Sequence, residues 1–482
     1  MSTNPTTASA DAEGYTPADR RVTLTIAAVM FMLLLDSTIL NTSLPAIARA
    51  QGIAPLALSS AITVYLLAGA AVLPLASWLA DRHGQRKVFV TAIGVFTLAS
   101  LLCGLAQSPL QLVMARALQG LGGGLLLPAG RAIALRGSRP QDRIAITGLL
   151  VWPMLFAPVL GPPLGGFITT YASWHWNFFL NVPIGVAGLL LVLRWVPADG
   201  APTPRPLDKP GAAGAIAGLC LLISGLEWAA HAAGHAADRL PALLCTAAGL
   251  ACLAWTARHL RRTPQPLVSL APFGYRSFSI AAMGGTVASM SIQATPFLLP
   301  LLFQLGLGHD AVAAGAMLLP YFLGNLAMKS VTTPILQRFG FRRALLVAGV
   351  CSTLSIAAFA TVTAQTSWLA LATLLAVAGC ARSMLLTAVS TLMMIELPNA
   401  QMGAGSTLSS VTMQIAAALG VAVGALALAL AGHLHRETGG TVALQDFHAA
   451  FLTVAALGAL ALWQFWRVPP HIGTGLPAGK AA

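Results

Sequence analysis

Charge is what this sequence has least of. Asp, Glu, Lys and Arg make up 9% of its 482 residues, against roughly a quarter in a water-soluble domain, so a soluble globular fold is excluded. Carboxylates are the scarcer sign, 14 against 27 basic residues, for a net charge of +13. There are no paired carboxylates, no Ser–His–Asp grouping and no good metal-ligand set, which argues against an integral-membrane enzyme. Glu227, His231 and His235 do fall at i, i+4 and i+8, but at the outer end of a span, where polar side chains ordinarily meet headgroups; no metal or other cofactor is expected. The six cysteines (Cys103, Cys220, Cys245, Cys252, Cys351, Cys380) contain no CxxC pair and all sit in apolar runs, so they read as small buried hydrophobes. GLGGGLLLP lacks the lysine of a phosphate-binding loop, and an ATP-driven pump is not supported.

What the chain does have is apolar length: 57% hydrophobic residues and a mean hydropathy of +0.78. A bilayer-crossing helix takes about 20 apolar residues. Fourteen such runs can be counted, near 22–45, 56–80, 87–106, 110–135, 143–170, 177–196, 211–231, 240–260, 277–305, 311–336, 343–364, 367–396, 403–432 and 447–467. The first has no small-residue cleavage site, so it reads as a membrane span and not a signal peptide. The expected fold is all-α and integral to the membrane. Alternate loops collect the basic residues: Arg82, Arg86 and Lys87; Arg136, Arg139 and Arg143; Arg194, Arg205 and Lys209; Arg258, Arg261, Arg262 and Arg276; Arg338, Arg342 and Arg343. The loops between hold only Arg49, Arg239 and Arg436. In a soluble protein such a charge would suggest nucleic acid; here it is a topology signal that places both termini in the cytoplasm. The expected partners are the lipid bilayer and a small-molecule substrate, not nucleic acid, and the working unit is expected to be a monomer.

The chain repeats itself. An offset of 256 lays LADRHGQRKVFVTA on ILQRFGFRRALLVA, Gly84 on Gly340 and Tyr65 on Tyr321, which implies two duplicated six-helix bundles. The expected organisation is a tail (1–21), a first bundle (22–196), a linker with two extra spans (197–262), a second bundle (277–467) and a second tail (468–482). The Pro-rich linker PADGAPTPRPLDKP is expected to join without packing.

Charge inside the spans marks the candidate site. ARALQGLGGGLLLPAGRAIAL carries Arg116 and Arg131 within an apolar run. A guanidinium cannot shed its charge, and one at mid-membrane costs at least about 2.5–3.5 kcal/mol unless it faces a partner or a wet cavity. Such a helix reads as the wall of a translocation path. Asp36 is the only acidic residue in the middle of a span of the first half. Burial raises a carboxyl pKa and a nearby cation lowers it, so a group held between the two can load and release a proton. A static ion pair is the other reading.

LLLDSTILNTSLPAIA, SWLADRHGQRKV, ARALQG and GPPLGGFITTYASWHWNFFLNVPIG, in this order, resemble the major facilitator superfamily, and within it the fourteen-span drug:proton antiporters of the EmrB/QacA-like branch. LLPAGR and ASWHW–NVP are similar to its MdtD-type members. The resemblance covers essentially the whole chain. It implies the major facilitator fold, two six-helix bundles plus two inserted helices, and a multidrug-type proton antiporter in a bacterial inner membrane. It implies proton coupling by Asp36, tuned by Arg116. Asp81, Gly84, Arg86 and Lys87 match the loop between spans two and three, where a carboxylate can latch the halves against the helix starting near Met402; Gln337 replaces the matching aspartate in the second half. Gly161, Pro162, Gly165 and Gly166 match the antiporter motif, a hinge against the neighbouring bundle.

The second half departs from a cation exporter. Lys329 and Arg382 lie within spans, and no mid-membrane carboxylate accompanies them. A cavity biased positive favours anions or neutral molecules. Lys329 and Arg382 are therefore candidate contacts for an acidic substrate, with Gln293, Tyr321, Asn325 and Gln414 adding hydrogen bonds. An importer or uniporter of the same fold is the alternative; a passive channel would not need the paired half-repeats.

Overall fold

The computed structural model describes residues 17–136, 138–139, 142–199, 206–231, 236–434, 443–469 and 472. Among them all regular structure is helical. A bilayer offers no water to backbone N–H and C=O groups, so each segment satisfies its own. The first half comprises α1 (Pro17–Ala50), α2 (Ser59–Val72), α3 (Ala76–His83), α4 (Gln85–Gly104), α5 (Pro109–Ala134), α6 (Arg143–Tyr171), α7 (Trp176–Phe179) and α8 (Asn181–Trp195). The inserted pair is α9 (Lys209–His231) and α10 (Ala236–Arg262). The second half follows as α11 (Arg276–Leu301), α12 (Ala311–Met317), α13 (Leu319–Ala358), α14 (Trp368–Met394), α15 (Asn399–Leu434) and α16 (Leu444–Trp466). Two starts differ from expectation: α1 begins at Pro17, inside the segment read as a polar tail, and α15 at Asn399 rather than near Met402.

Thirteen helical stretches among the described residues are long and apolar enough to cross a membrane. One of them, Ala311–Thr361, has 51 residues, about 76 Å at 1.5 Å per residue, against a hydrocarbon core of about 30 Å. It breaks at Gly340, where φ is 74° and ψ 164°. Gly84, the residue that the repeat lays on Gly340, separates α3 from α4 with φ 90° and ψ 146°. Only a residue without Cβ takes such a φ at little cost. The long stretch is therefore two passes, and the crossings among the described residues number fourteen.

The bundle has a basic end, where α1 starts and the arginine-rich loops lie, and a far end. At the far end a single core runs through both halves: Leu44 and Ile47 of α1 and Phe178 of α7 share a cluster with Phe297 and Leu301 of α11, Leu428 of α15 and Phe451 of α16. At the basic end the core divides. Ile26, Met30, Phe89 and Leu126 pack in the first half, and Phe278, Phe341, Leu392 and Phe465 in the second. The halves share one core at the far end and keep separate cores at the basic end.

The inserted pair is not a bystander. Leu219 and Ile223 of α9 pack with Leu67 and Ala70 of α2 and Ala418 of α15, so α9 touches both halves, while α10 packs on α9 through Gly218–Leu253 and Gly249–Leu222. The linker corrects the expectation that it joins without packing. Asp199 accepts from the backbone N–H of Arg86 (2.9 Å) and pairs with Arg136 (3.0 Å). Asp208 is buried and accepts from Gly211 N, Leu267 N and His259 Nε2. The cysteines are also corrected: only Cys103 is buried, Cys220 is exposed and the other four are half-buried, all as free thiols. Spans that face lipid have no reason to bury a small apolar residue.

Candidate functional site

The site begins with Asp36 on α1. Its Oδ2 accepts from Arg116 Nη1 at 2.7 Å, and its Oδ1 accepts from Gln119 Nε2 at 2.9 Å and Asn181 Nδ2 at 2.7 Å. Gln119 Oε1 accepts from Arg116 Nη1 at 2.6 Å, and Gln119 Nε2 also donates to Ser100 Oγ at 2.7 Å. The Arg116 guanidinium lies 4.0 Å from the Tyr65 ring centroid. Asp36 is 3% exposed, Arg116 1%, Gln119 0% and Asn181 1%. α1, α4, α5 and α8 thus seal one ion pair inside the first half. Two members were not singled out from the sequence. Gln119 follows Arg116 by three residues, which puts both on one helix face, and Asn181 opens NVPIG; both lay within motifs already read, but neither carries a charge to draw notice.

A second set lies on the second half. Arg382 of α14 is half-buried, donates to Ile292 O at 3.2 Å and lies over the Tyr321 ring, 6.0 Å from its centroid. Lys329 of α13 is exposed and donates to Thr387 Oγ1 at 2.7 Å. Asn325 is half-buried one turn from Lys329. Gln293 Oε1, next in sequence to Ile292, and Ser383 Oγ, next to Arg382 itself, are buried with no hydrogen-bond partner among the described residues, an arrangement that normally marks a group waiting for a ligand or a water. Gln414 is placed differently from its companions. Its Nε2 lies 3.4 Å from Leu66 O of α2, so it reaches across to the other half. Arg131 is exposed near the basic end of α5.

The antiporter-motif glycines divide their work. Gly161 and Gly165 face Thr38 and Ile39 of α1, whereas a Cβ on Gly166 would run into Ala311 O of the other half. Pro162 O accepts from Thr42 Oγ1 at 3.3 Å, and Thr42 O accepts from Gln304 Nε2 of the second half at 2.9 Å. Gln304 sits in a π-helical turn, Leu302–Gly306, that ends α11; such turns recur at functional sites.

At the basic end Asp199 lies against Gly84 and caps the N-terminus of α4, where the helix dipole favours a carboxylate. Arg86 also donates to Leu193 O at 2.5 Å. Asp81 is half-buried and Lys87 exposed. Burial raises the Asp208 carboxyl pKa, but the bonds from His259, Gly211 and Leu267 outweigh it and hold the group below the usual carboxylate range. His235 lies outside the described residues; among those described, no three His, Cys, Asp or Glu side chains gather as a metal would need.

The Major Facilitator Superfamily profile matches residues 26–421 and 282–482. A protein of Klebsiella pneumoniae (strain 342) named as the multidrug resistance protein MdtD is 36% identical over 463 residues, 95% of this chain and 97% of its own; one of Escherichia fergusonii with the same name is 34% identical, over 92% and 93%. Among solved structures, a bacterial homologue of the human lysosomal transporter Spinster, inward-facing and unoccupied, superposes with a TM-score of 0.64 at 15% identity over 94% of this chain and 97% of that one. The human organic anion transporter MFSD10 gives 0.60 at 16% identity over 93% and 100%. The profile, the length of the relatives' match and the fourteen helical crossings agree: the chain is a membrane transporter and belongs to the major facilitator superfamily.

Proposed function

We propose that this transporter is a proton-coupled exporter of the bacterial inner membrane, with Asp36 as the proton site and the second-half wall as the substrate contact. Read from its basic loops, the end with the divided core faces the cytoplasm, and substrate would enter there between the halves; rocking the bundles would then carry it across. The observation that carries the reading is the closed ring of donors on Asp36. A carboxylate that accepts from Arg116, Gln119 and Asn181 has no acceptor to offer a proton of its own. Protonation therefore breaks at least one contact between α1 and α5 or α8, which turns proton binding into helix movement. Relatives named for multidrug resistance support export of varied small molecules. Lys329 and Arg382, with the unpartnered Ser383 hydroxyl next to Arg382 in sequence, support a preference for anions or carboxylates.

The test is counterflow in proteoliposomes under an imposed pH gradient, with anionic and cationic substrates side by side. Wild type should exchange substrate in response to the gradient and Asp36→Asn should not. Undiminished pH-driven exchange in Asp36→Asn would sink the coupling assignment. Anion transport unchanged in both Arg382→Ala and Lys329→Ala would remove the substrate assignment and leave the coupling standing.

A further inference from the structure

The second half carries an apolar crevice of about 1040 Å³ that neither Lys329 nor Arg382 lines. It lies between the two arms of α13 and the side of α14, with Ala348, Cys351, Ala376 and Cys380 among its walls. Its lip is formed by exposed apolar side chains, Phe339, Val347 and Val377, so it opens sideways into hydrocarbon and not into the path between the halves. From Pro320 to Phe339 its α13 wall runs about 28 Å at 1.5 Å per residue, close to the full hydrocarbon depth.

The duplicated fold does not require this opening. In the first half the corresponding seam is shut: a Cβ on Gly122 of α5 would stand 2.8 Å from Phe96 N and 2.9 Å from Ala92 O of α4. The repeat lays Ala92 on Ala348, which sits at the floor of the crevice, buried but part of its lining.

One cation marks the mouth. Arg343, at the basic end, lines the crevice and is exposed. Of its neighbours, Arg342 lies over Trp466 at 4.5 Å, and Arg338, which is not part of the lining, lies over Phe339 of the lip at 5.5 Å. No carboxylate is placed against Arg343 among the described residues. A long hydrocarbon slot with one guanidinium at headgroup depth complements an amphiphile with an anionic head, because guanidinium grips phosphate with two parallel hydrogen bonds and basic pockets between membrane helices select such heads. A lipophilic cation would meet Arg343 as a repulsion.

We propose that the crevice binds one anionic phospholipid, its acyl chains laid between the arms of α13 and against α14 and its phosphate held by Arg343. The site depends on membrane placement alone and stands apart from proton coupling.

Native mass spectrometry of the purified full-length protein, loaded with phosphatidylglycerol or phosphatidylethanolamine, tests it. Wild type should retain one phosphatidylglycerol in preference to phosphatidylethanolamine. Arg343→Gln should lower that preference about five-fold, the value of one cation facing an anionic head, and Arg258→Gln on α10 should leave it unchanged. Ala348→Trp should fill the slot and displace both lipids; Ala376→Leu serves if the tryptophan variant does not fold. Equal retention of the two lipids by wild type would overturn the proposal, as would identical behaviour of Arg343→Gln and Arg258→Gln. A folded Ala348→Trp that keeps its lipid but loses transport of membrane-dissolved substrates would make the crevice a substrate portal instead, and the proposal would fail.

Discussion

Asp36 and Arg116 cannot be judged one at a time. Removing one partner of a buried ion pair strands the other charge and costs about 3–5 kcal/mol, whereas replacing both with apolar groups is often near neutral. Arg116→Leu should therefore lower the melting temperature in detergent more than Asp36→Leu/Arg116→Leu does. A double variant as unstable as the sum of the singles would show that the pair is not the unit. Asp208 gives a pH-dependent counterpart outside the membrane. Its folded-state pKa lies below the ordinary value, so the stability it confers is present above about pH 4 and lost as pH falls through the folded-state pKa. Asp208→Asn should melt below wild type at pH 7, and the gap should close as the pH drops below about 4; a gap independent of pH would refute the assignment. The charged residues of the site were legible in the sequence because charge is so rare there. Gln119 and Asn181 were not, since an amide in an apolar helix signals nothing until its neighbours are known.

Helices were easier to read than what pins them. The apolar runs located the crossings to within a few residues, because a bilayer fixes their length. Composition gave the linker its stiffness but could not reveal that Asp199 caps α4 and Asp208 ties α9 to α10, since both depend on residues far apart in sequence. Contact between helices is the property to test on α6. Gly166→Ala would set a methyl group against Ala311 O, while Gly148 on the same helix has nothing within 4 Å of where its Cβ would be. Gly166→Ala should abolish transport or folding. Gly148→Ala should be silent or stabilising by up to about 1 kcal/mol, the helix propensity gained. Equal effects in the two would deny α6 its role as a contact surface between the halves.

For the whole molecule, the state of the gate was invisible in the sequence, since one sequence serves every state of a transport cycle. The divided core at the basic end makes a concrete statement about access. In a cysteine-free background, Lys329→Cys should react with a membrane-impermeant thiol reagent offered at the basic side and resist it at the far side. The reverse pattern would mean that the resting protein opens the other way. The inserted helices bear on the same question. Because α9 grips α2 and α15 together while the opposite seam, α6 against α12, has no such strap among the described residues, the molecule is lopsided about its path. The α6 flank is held by the direct contact of α6 with α12, so a sideways gap that opens there meets neither inserted helix, and bilayer components squeezed between the halves during the cycle would enter and leave from that side.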